Sequence, residues 1–198
     1  MDVEVLINKE NKLDENYIPD DLIITDNNEN NFHNFIDPNH KPMISKKVYP
    51  YFLKMKEDAL KEGHNLVLDS GYRSYQYQKN IWDDYIEKYG LEKTKELVAP
   101  PGASEHQSGL AFDIAFMREN KFVEHVTDDL EETKWMIKNA HKYGFILRYP
   151  KGKENITGYK YESWHLRYVG IDLANKLYNN GDWITLEEHF NLTSQYSD

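Results

Sequence analysis

The chain has no cysteine among its 198 residues. That excludes disulfides, thiolate metal sites and cysteine nucleophiles, and it fits a reducing or an oxidising compartment equally. Long apolar runs are missing as well; none approaches the roughly 20 residues that a membrane span needs. Positive charge is scarce, with 24 Lys and Arg against 34 Asp and Glu, a formal net charge of -10. No long basic stretch offsets this, so nucleic acid is a poor partner, because phosphate binding needs a positive surface. The opening Met1-Asp-Val-Glu-Val-Leu-Ile-Asn8 has no basic region leading into an apolar core, so no signal peptide is read there. What remains is enough chain for one domain with a sizeable core.

Residues 1–47 are polar, rich in Asn and Asp, and punctuated by Pro19, Pro38 and Pro42. They read as an extended N-terminal arm packing on a domain of residues 48–198, with short strands such as Leu22–Ile24. His33 and His40 in this arm read as surface residues. A helix is expected from Val48–Tyr51, with Phe52, Met55, Ala59 and Leu60 turned inward and Gly63 at its end. Leu66–Asp69 reads as a short buried strand. Ser74–Gly90 reads as a second helix, with Tyr77, Ile81, Tyr85 and either Ile86 or Tyr89 as its inward stripe. Leu91–Val98 makes a shorter one, and Ala99-Pro-Pro-Gly102 is a stiff turn. Farther on, Thr127 is placed as the cap of a helix that buries Trp135, Met136, Ala140 and Tyr143. His125 and His141 read as structural or solvated. Phe145–Tyr149 reads as a strand and Pro150–Gly158 as a hairpin tip or flap. Ile171–Tyr178 is a helix, and Trp183, Leu186 and Phe190 are expected to pin the C-terminus.

The most informative stretch is Ser104-Glu-His-Gln-Ser-Gly-Leu-Ala-Phe-Asp113. From Leu110 onward the pattern alternates, putting Leu110, Phe112, Ile114 and Phe116 on one face and Ala111, Asp113 and Ala115 on the other. Asp113 then looks out between two alanines, which leaves room for a ligand. With His106 it offers one nitrogen and one oxygen to a divalent metal. A catalytic zinc usually takes three protein groups, and the place for the third is Glu162-Ser-Trp-His165. Parity constrains that segment: residues three apart in a regular strand face opposite sides, so Glu162 and His165 share a site only if the backbone bends near Ser163. Arg73, just past a strand end beside Gly71, is placed to point a fixed charge into a cleft.

Ser70-Gly-Tyr-Arg-Ser74, Ser104–Asp113 and Glu162-Ser-Trp-His165 together resemble the signature blocks of VanY-type D-alanyl-D-alanine carboxypeptidases, in that family's order, over residues of about 49–178. The resemblance implies zinc (Zn2+) on His106, Asp113 and His165, with Glu162 as catalytic base and Arg73 steadying the substrate. It also implies substrate contacts at Gln78 and Ser104, with Tyr149, Tyr159 and Trp164 as walls. The fold it implies is α+β, a small mostly antiparallel sheet flanked by helices with the zinc cleft on the sheet face, as in hedgehog and D,D-peptidase domains. The substrate it implies is a peptidoglycan stem peptide ending in D-alanine, handled by a monomer without an obligate protein partner. Such a substrate lies outside the cytoplasm, so the expectation is export or anchoring through a segment missing from this chain. L,D-carboxypeptidase, lytic endopeptidase and zinc-stabilised binding module are the alternatives; the retained Glu162–Arg73 pair argues against the last.

Overall fold

The computed structural model describes residues 1–25, 42–119, 121–123 and 125–192. His33 and His40 lie outside the described residues. Strands β1 (Leu22–Ile24) and β2 (Met43–Ser45) pair as an antiparallel ribbon. Helix α1 (Tyr49–Lys61) follows, with a proline in its first turn, where the missing amide hydrogen costs nothing. Then come β3 (Leu66–Ser70), α2 (Tyr75–Tyr89) and α3 (Leu91–Leu97). A 3₁₀ turn, Glu105–Ser108, leads into β4 (Ala111–Arg118) and its hairpin partner β5 (Lys121–Phe122). The rest is α4 (Glu131–Asn139), β6 (Phe145–Leu147), α5 (Glu154–Thr157), β7 (His165–Tyr168), α6 (Ile171–Tyr178) and α7 (Leu186–His189).

The main sheet runs β3-β4-β7-β6, every pair antiparallel, with β5 added at the far end of β4. This is the expected α+β architecture, a small antiparallel sheet with helices around it. The alternation read along β4 decides where the core sits. Leu110, Phe112, Ile114 and Phe116 bury with Phe52, Met55 and Ala59 of α1. Phe112 meets Phe52 and Phe145 edge-on, with ring centroids 5.4 and 5.1 Å apart, a geometry that aromatic quadrupoles favour. A second cluster, including Val169, Leu173, Leu177, Trp183 and Leu186, closes the C-terminal side.

Several expectations need correction. Leu60 is 55% exposed, because it follows Ala59 by one residue and 100° of helical turn carries it off the buried face. Phe190 is also exposed, at 42%. Thr127 caps no helix: its hydroxyl bonds to Asp129 Oδ1 at 2.5 Å, and α4 begins only at Glu131. Residues 150–158 do form the tip between the antiparallel β6 and β7, but that tip is not open loop: a turn runs into α5, which Gly158 ends in the left-handed region. On α2 only Gln78 is fully buried, so its expected apolar stripe is not a core stripe. Ile81 and Tyr85 face a cleft instead.

Candidate active site

Three segments with different local reasons for their shape meet at the sheet face. β3 ends at Ser70, opposite Asp113, after a register shift between Leu68 and Ser70. Gly71 follows where the chain presses on β2: a Cβ there would lie 2.3 Å from the Met43 carbonyl oxygen, which already accepts the Tyr72 amide at 2.5 Å. Only glycine permits that approach. The Gly71 carbonyl in turn accepts the His106 Nδ1 hydrogen at 2.7 Å. His106 stands on the 3₁₀ turn, which Gly109 closes at φ 70°. Asp113 and His165 are cross-strand partners in the β4–β7 register, so their side chains share one face.

The resulting geometry is tight. His165 Nδ1 is 3.0 Å from Asp113 Oδ1, and His106 Nε2 is 3.5 Å from Asp113 Oδ2. One ligand atom from each of the three lies within 4.8 Å of the others. The donor chemistry fits a cation. A carbonyl can only accept, so His106 carries its hydrogen on Nδ1. Its buried Nε2 has no hydrogen-bond partner among the described residues and turns a lone pair toward a carboxylate. Two acceptors in that position call for a positive charge between them. Nitrogen and oxygen donors of this kind suit zinc.

The expected bend is present. Ser163 and Trp164 form a turn, β7 starts only at His165, and the Trp164 carbonyl accepts the Ile114 amide at 3.0 Å. Glu162 therefore comes round to the same side as His165, its Oε2 3.8 Å from Nδ1, with 23% of its side chain open. Burial raises the Glu162 carboxyl to about 7; Asp113 adds to the rise, while His165 and Arg73 oppose it. His106 is pushed down to about 4 by burial and by the Arg73 charge, which keeps it neutral. Burial would lower His165, but the Asp113 and Glu105 carboxylates outweigh it and raise the imidazole to about 9. Burial would likewise raise Asp113, yet the two imidazoles hold it well below the usual carboxylate range.

All of the site residues expected from sequence line one cleft of about 600 Å³: Arg73, Gln78, Ser104, His106, Asp113, Tyr149, Tyr159, Glu162, Trp164 and His165. That volume is ordinary for a small-ligand site. The Arg73 amide donates to the His106 carbonyl at 3.3 Å, and its buried Nε has no hydrogen-bond partner among the described residues. Gln78 Nε2 donates to the Ala99 carbonyl at 2.8 Å, while its Oε1 is buried without such a partner. The Tyr149 ring lies 5.0 Å from the His165 ring and 5.0 Å from the Tyr159 ring. Trp164 sits at the rim, 37% exposed.

Sequence reasoning missed other wall residues. Asp69, Ile81, Asp84, Tyr85 and His125 also line the cleft. Ile81 and Tyr85 carried a signal, since they stand one helical turn apart on α2. His125 carried none. It also missed Glu105, whose carboxylate is wholly buried beneath the histidines. Burial would raise that carboxyl, but Arg148 and Arg167 hold it well below the usual range.

The architecture and sequence have known counterparts. A family model described as VanY, D-alanyl-D-alanine carboxypeptidase, matches residues 41–171. YodJ of Bacillus subtilis (strain 168) is 46% identical over 186 residues, covering 93% of this chain and 66% of YodJ. A D-alanyl-D-alanine carboxypeptidase of Enterococcus faecalis (strain ATCC 700802 / V583) is 37% identical over 157 residues, 75% of this chain and 56% of that protein. The chain thus spans less than two thirds of the length of either relative. Among solved structures, the LdcB LD-carboxypeptidase superposes with a TM-score of 0.81 at 43% identity, covering 95% of this chain and 86% of that one. A mutant of the vancomycin resistance D,D-pentapeptidase VanY, in complex with Zn(II), gives 0.77 at 31% identity, covering 96% and 99%.

Proposed function

The chain belongs to the VanY family of D-alanyl-D-alanine carboxypeptidases, and from that membership we propose that it is a zinc-dependent carboxypeptidase removing a C-terminal D-alanine from peptidoglycan stem peptides. The observation that carries the reading is the convergence on one cleft of the His106–Asp113–His165 cluster, the Glu162 carboxylate and the Arg73 charge. The substrate lies in the cell envelope, so this reading places the action outside the cytoplasm.

His106 Nε2, an Asp113 oxygen and His165 Nδ1 are the atoms that would hold the metal. Zinc there supplies the Lewis acidity that lets peptide hydrolysis run at neutral pH. Glu162 accepts the proton of the attacking water and passes it to the departing amine of D-alanine. Burial pushes this carboxyl above the ordinary carboxylate range, which favours one group both taking up and returning the proton. Arg73 anchors the terminal carboxylate of the peptide, since a planar guanidinium matches a carboxylate with two parallel hydrogen bonds. Gln78 Oε1 and the Ser104 hydroxyl offer polar contacts beside it. Tyr149, Tyr159 and Trp164 wall the cleft and limit water around the reacting bond.

L,D-carboxypeptidase activity on tetrapeptide stems is the second reading. It is favoured by the higher identity to LdcB, 43% against 31% for VanY. Muropeptides ending in D-alanyl-D-alanine, and others ending in a single D-alanine after the diamino acid, separate the two by mass spectrometry. The expected result is loss of one alanine from the pentapeptide. Loss from the tetrapeptide alone moves the assignment to L,D-carboxypeptidase at the same site. No loss from either, with zinc bound, overturns the carboxypeptidase reading.

A further inference from the structure

Beneath the histidines lies a buried ionic network that the proposed chemistry does not use. Glu105 accepts at Oε1 from Arg148 Nε at 2.8 Å and from Arg167 Nη1 at 2.7 Å. The side chains of all three are 0% exposed. Each arginine is held from behind. Arg148 forks onto Glu187 of α7, Nη1 to Oε2 at 2.9 Å and Nη2 to Oε1 at 2.7 Å. Arg167 Nη2 donates to the carbonyls of Val3 and Val5 in the N-terminal segment, at 2.9 and 2.7 Å. The two guanidiniums thus fix where Glu105 Oε1 lies.

The other oxygen is the telling one. Glu105 Oε2 is buried, makes no hydrogen bond of ordinary length among the described residues, and stands 3.6 Å from His165 Nε2. His165 Nε2 is likewise buried without such a bond. On the opposite edge of the same ring, Nδ1 faces Asp113 at 3.0 Å. The imidazole is thus sandwiched between a carboxylate that belongs to the cleft and one that does not. A metal-ligating histidine commonly donates its second ring hydrogen to such an outer carboxylate, which selects the tautomer and fixes the ring.

We propose that Glu105 is a positioning residue: it accepts the Nε2 hydrogen of His165, so that the Nδ1 lone pair is the one presented to the cleft. Arg148 and Arg167 hold Glu105 in place, and through Glu187, Val3 and Val5 they tie the geometry of His165 to both ends of the chain. The proposal rests on the zinc reading above and adds to it which nitrogen of His165 serves and what selects it.

The test has two arms. In the first, wild-type protein with ¹⁵N-labelled histidine and one equivalent of zinc is examined by long-range ¹H–¹⁵N NMR. The expected result is one ring with its hydrogen on Nδ1, for His106, and one with its hydrogen on Nε2, for His165. Two Nδ1–H rings at the metal overturn the proposal without any variant having to fold. In the second, zinc affinity is measured by chelator competition for Glu105→Gln and Glu187→Gln. Both substitutions remove one buried negative charge from the same network, but only Glu105 faces His165. Outer carboxylates typically contribute about 10- to 100-fold in metal affinity. That loss is expected for Glu105→Gln, with Glu187→Gln within about twofold of wild type. Equal losses in the two variants reduce Glu105 to a structural role and overturn the proposal. A wild-type chain that takes up no zinc overturns the metal reading itself, and this one with it; failure of either arm in a zinc-binding chain overturns this one alone.

Discussion

Replacing Glu162 with alanine or glutamine lowers kcat/KM for D-alanine release by about 10²- to 10⁴-fold, the range set by a positioned general base, while zinc affinity stays near wild type. Glu162 is the carboxylate set 3.8 Å from His165 Nδ1, and it is separate from the three-residue cluster that would bind metal. The same group sets the pH dependence. Burial raises its carboxyl to about 7, so its basic form grows as pH rises through that value. The acidic limb of kcat/KM therefore climbs with pH, and a cation in the neighbouring cluster moves that limb below 7. Glu162→Gln removes the limb along with the rate. A variant of unchanged turnover, or one that keeps the wild-type limb, means another group handles the proton. The turn at Ser163 and Trp164 would then be a packing feature only.

The second large effect is at Arg73. Substitution by alanine is expected to lower kcat/KM by roughly 100- to 1000-fold, the scale for losing one preorganised electrostatic contact. Lysine restores only part of it, because an ammonium cannot copy the planar fork. Two backbone features aim the side chain: the Gly71 approach to β2 and the Arg73 amide bond to the His106 carbonyl. Comparison of a free-acid peptide with its C-terminal amide isolates the role. Wild-type protein should prefer the acid strongly, and Arg73→Ala should treat acid and amide alike. An Arg73→Ala variant that keeps the preference places the carboxylate anchor elsewhere in the cleft.

Much of this site was legible in the sequence, for a physical reason. Its residues sit on short, strongly patterned segments: β4 alternates cleanly, and the Glu162–His165 parity argument demands the bend that the structure has at Ser163 and Trp164. Gly71 marked the turn before Arg73, while the close approach to Met43 that requires a glycine there comes from the structure. What escaped was set by tertiary context. The apolar residues of α2 gave a helical stripe, but periodicity does not say whether a stripe meets a core or a cleft, and Ile81 and Tyr85 meet a cleft. Leu60 and Phe190 looked like core residues and are exposed. Glu105 stood in plain view between Ser104 and His106, yet its role depends on two arginines 43 and 62 residues downstream. No local pattern predicts two fully buried guanidiniums, since charged groups are almost never fully buried unless paired.

The central claim is that one metal-dependent cleft, with Glu162 as its base, releases D-alanine. It is tested most directly by titrating zinc into metal-free protein while following D-alanine release from a stem peptide, with Glu162→Gln alongside. The account predicts that release rises in step with zinc and levels off at one equivalent, and that Glu162→Gln binds the same single zinc with almost no release. Release from the metal-free protein, or a Glu162→Gln variant that follows the wild-type curve, would contradict it.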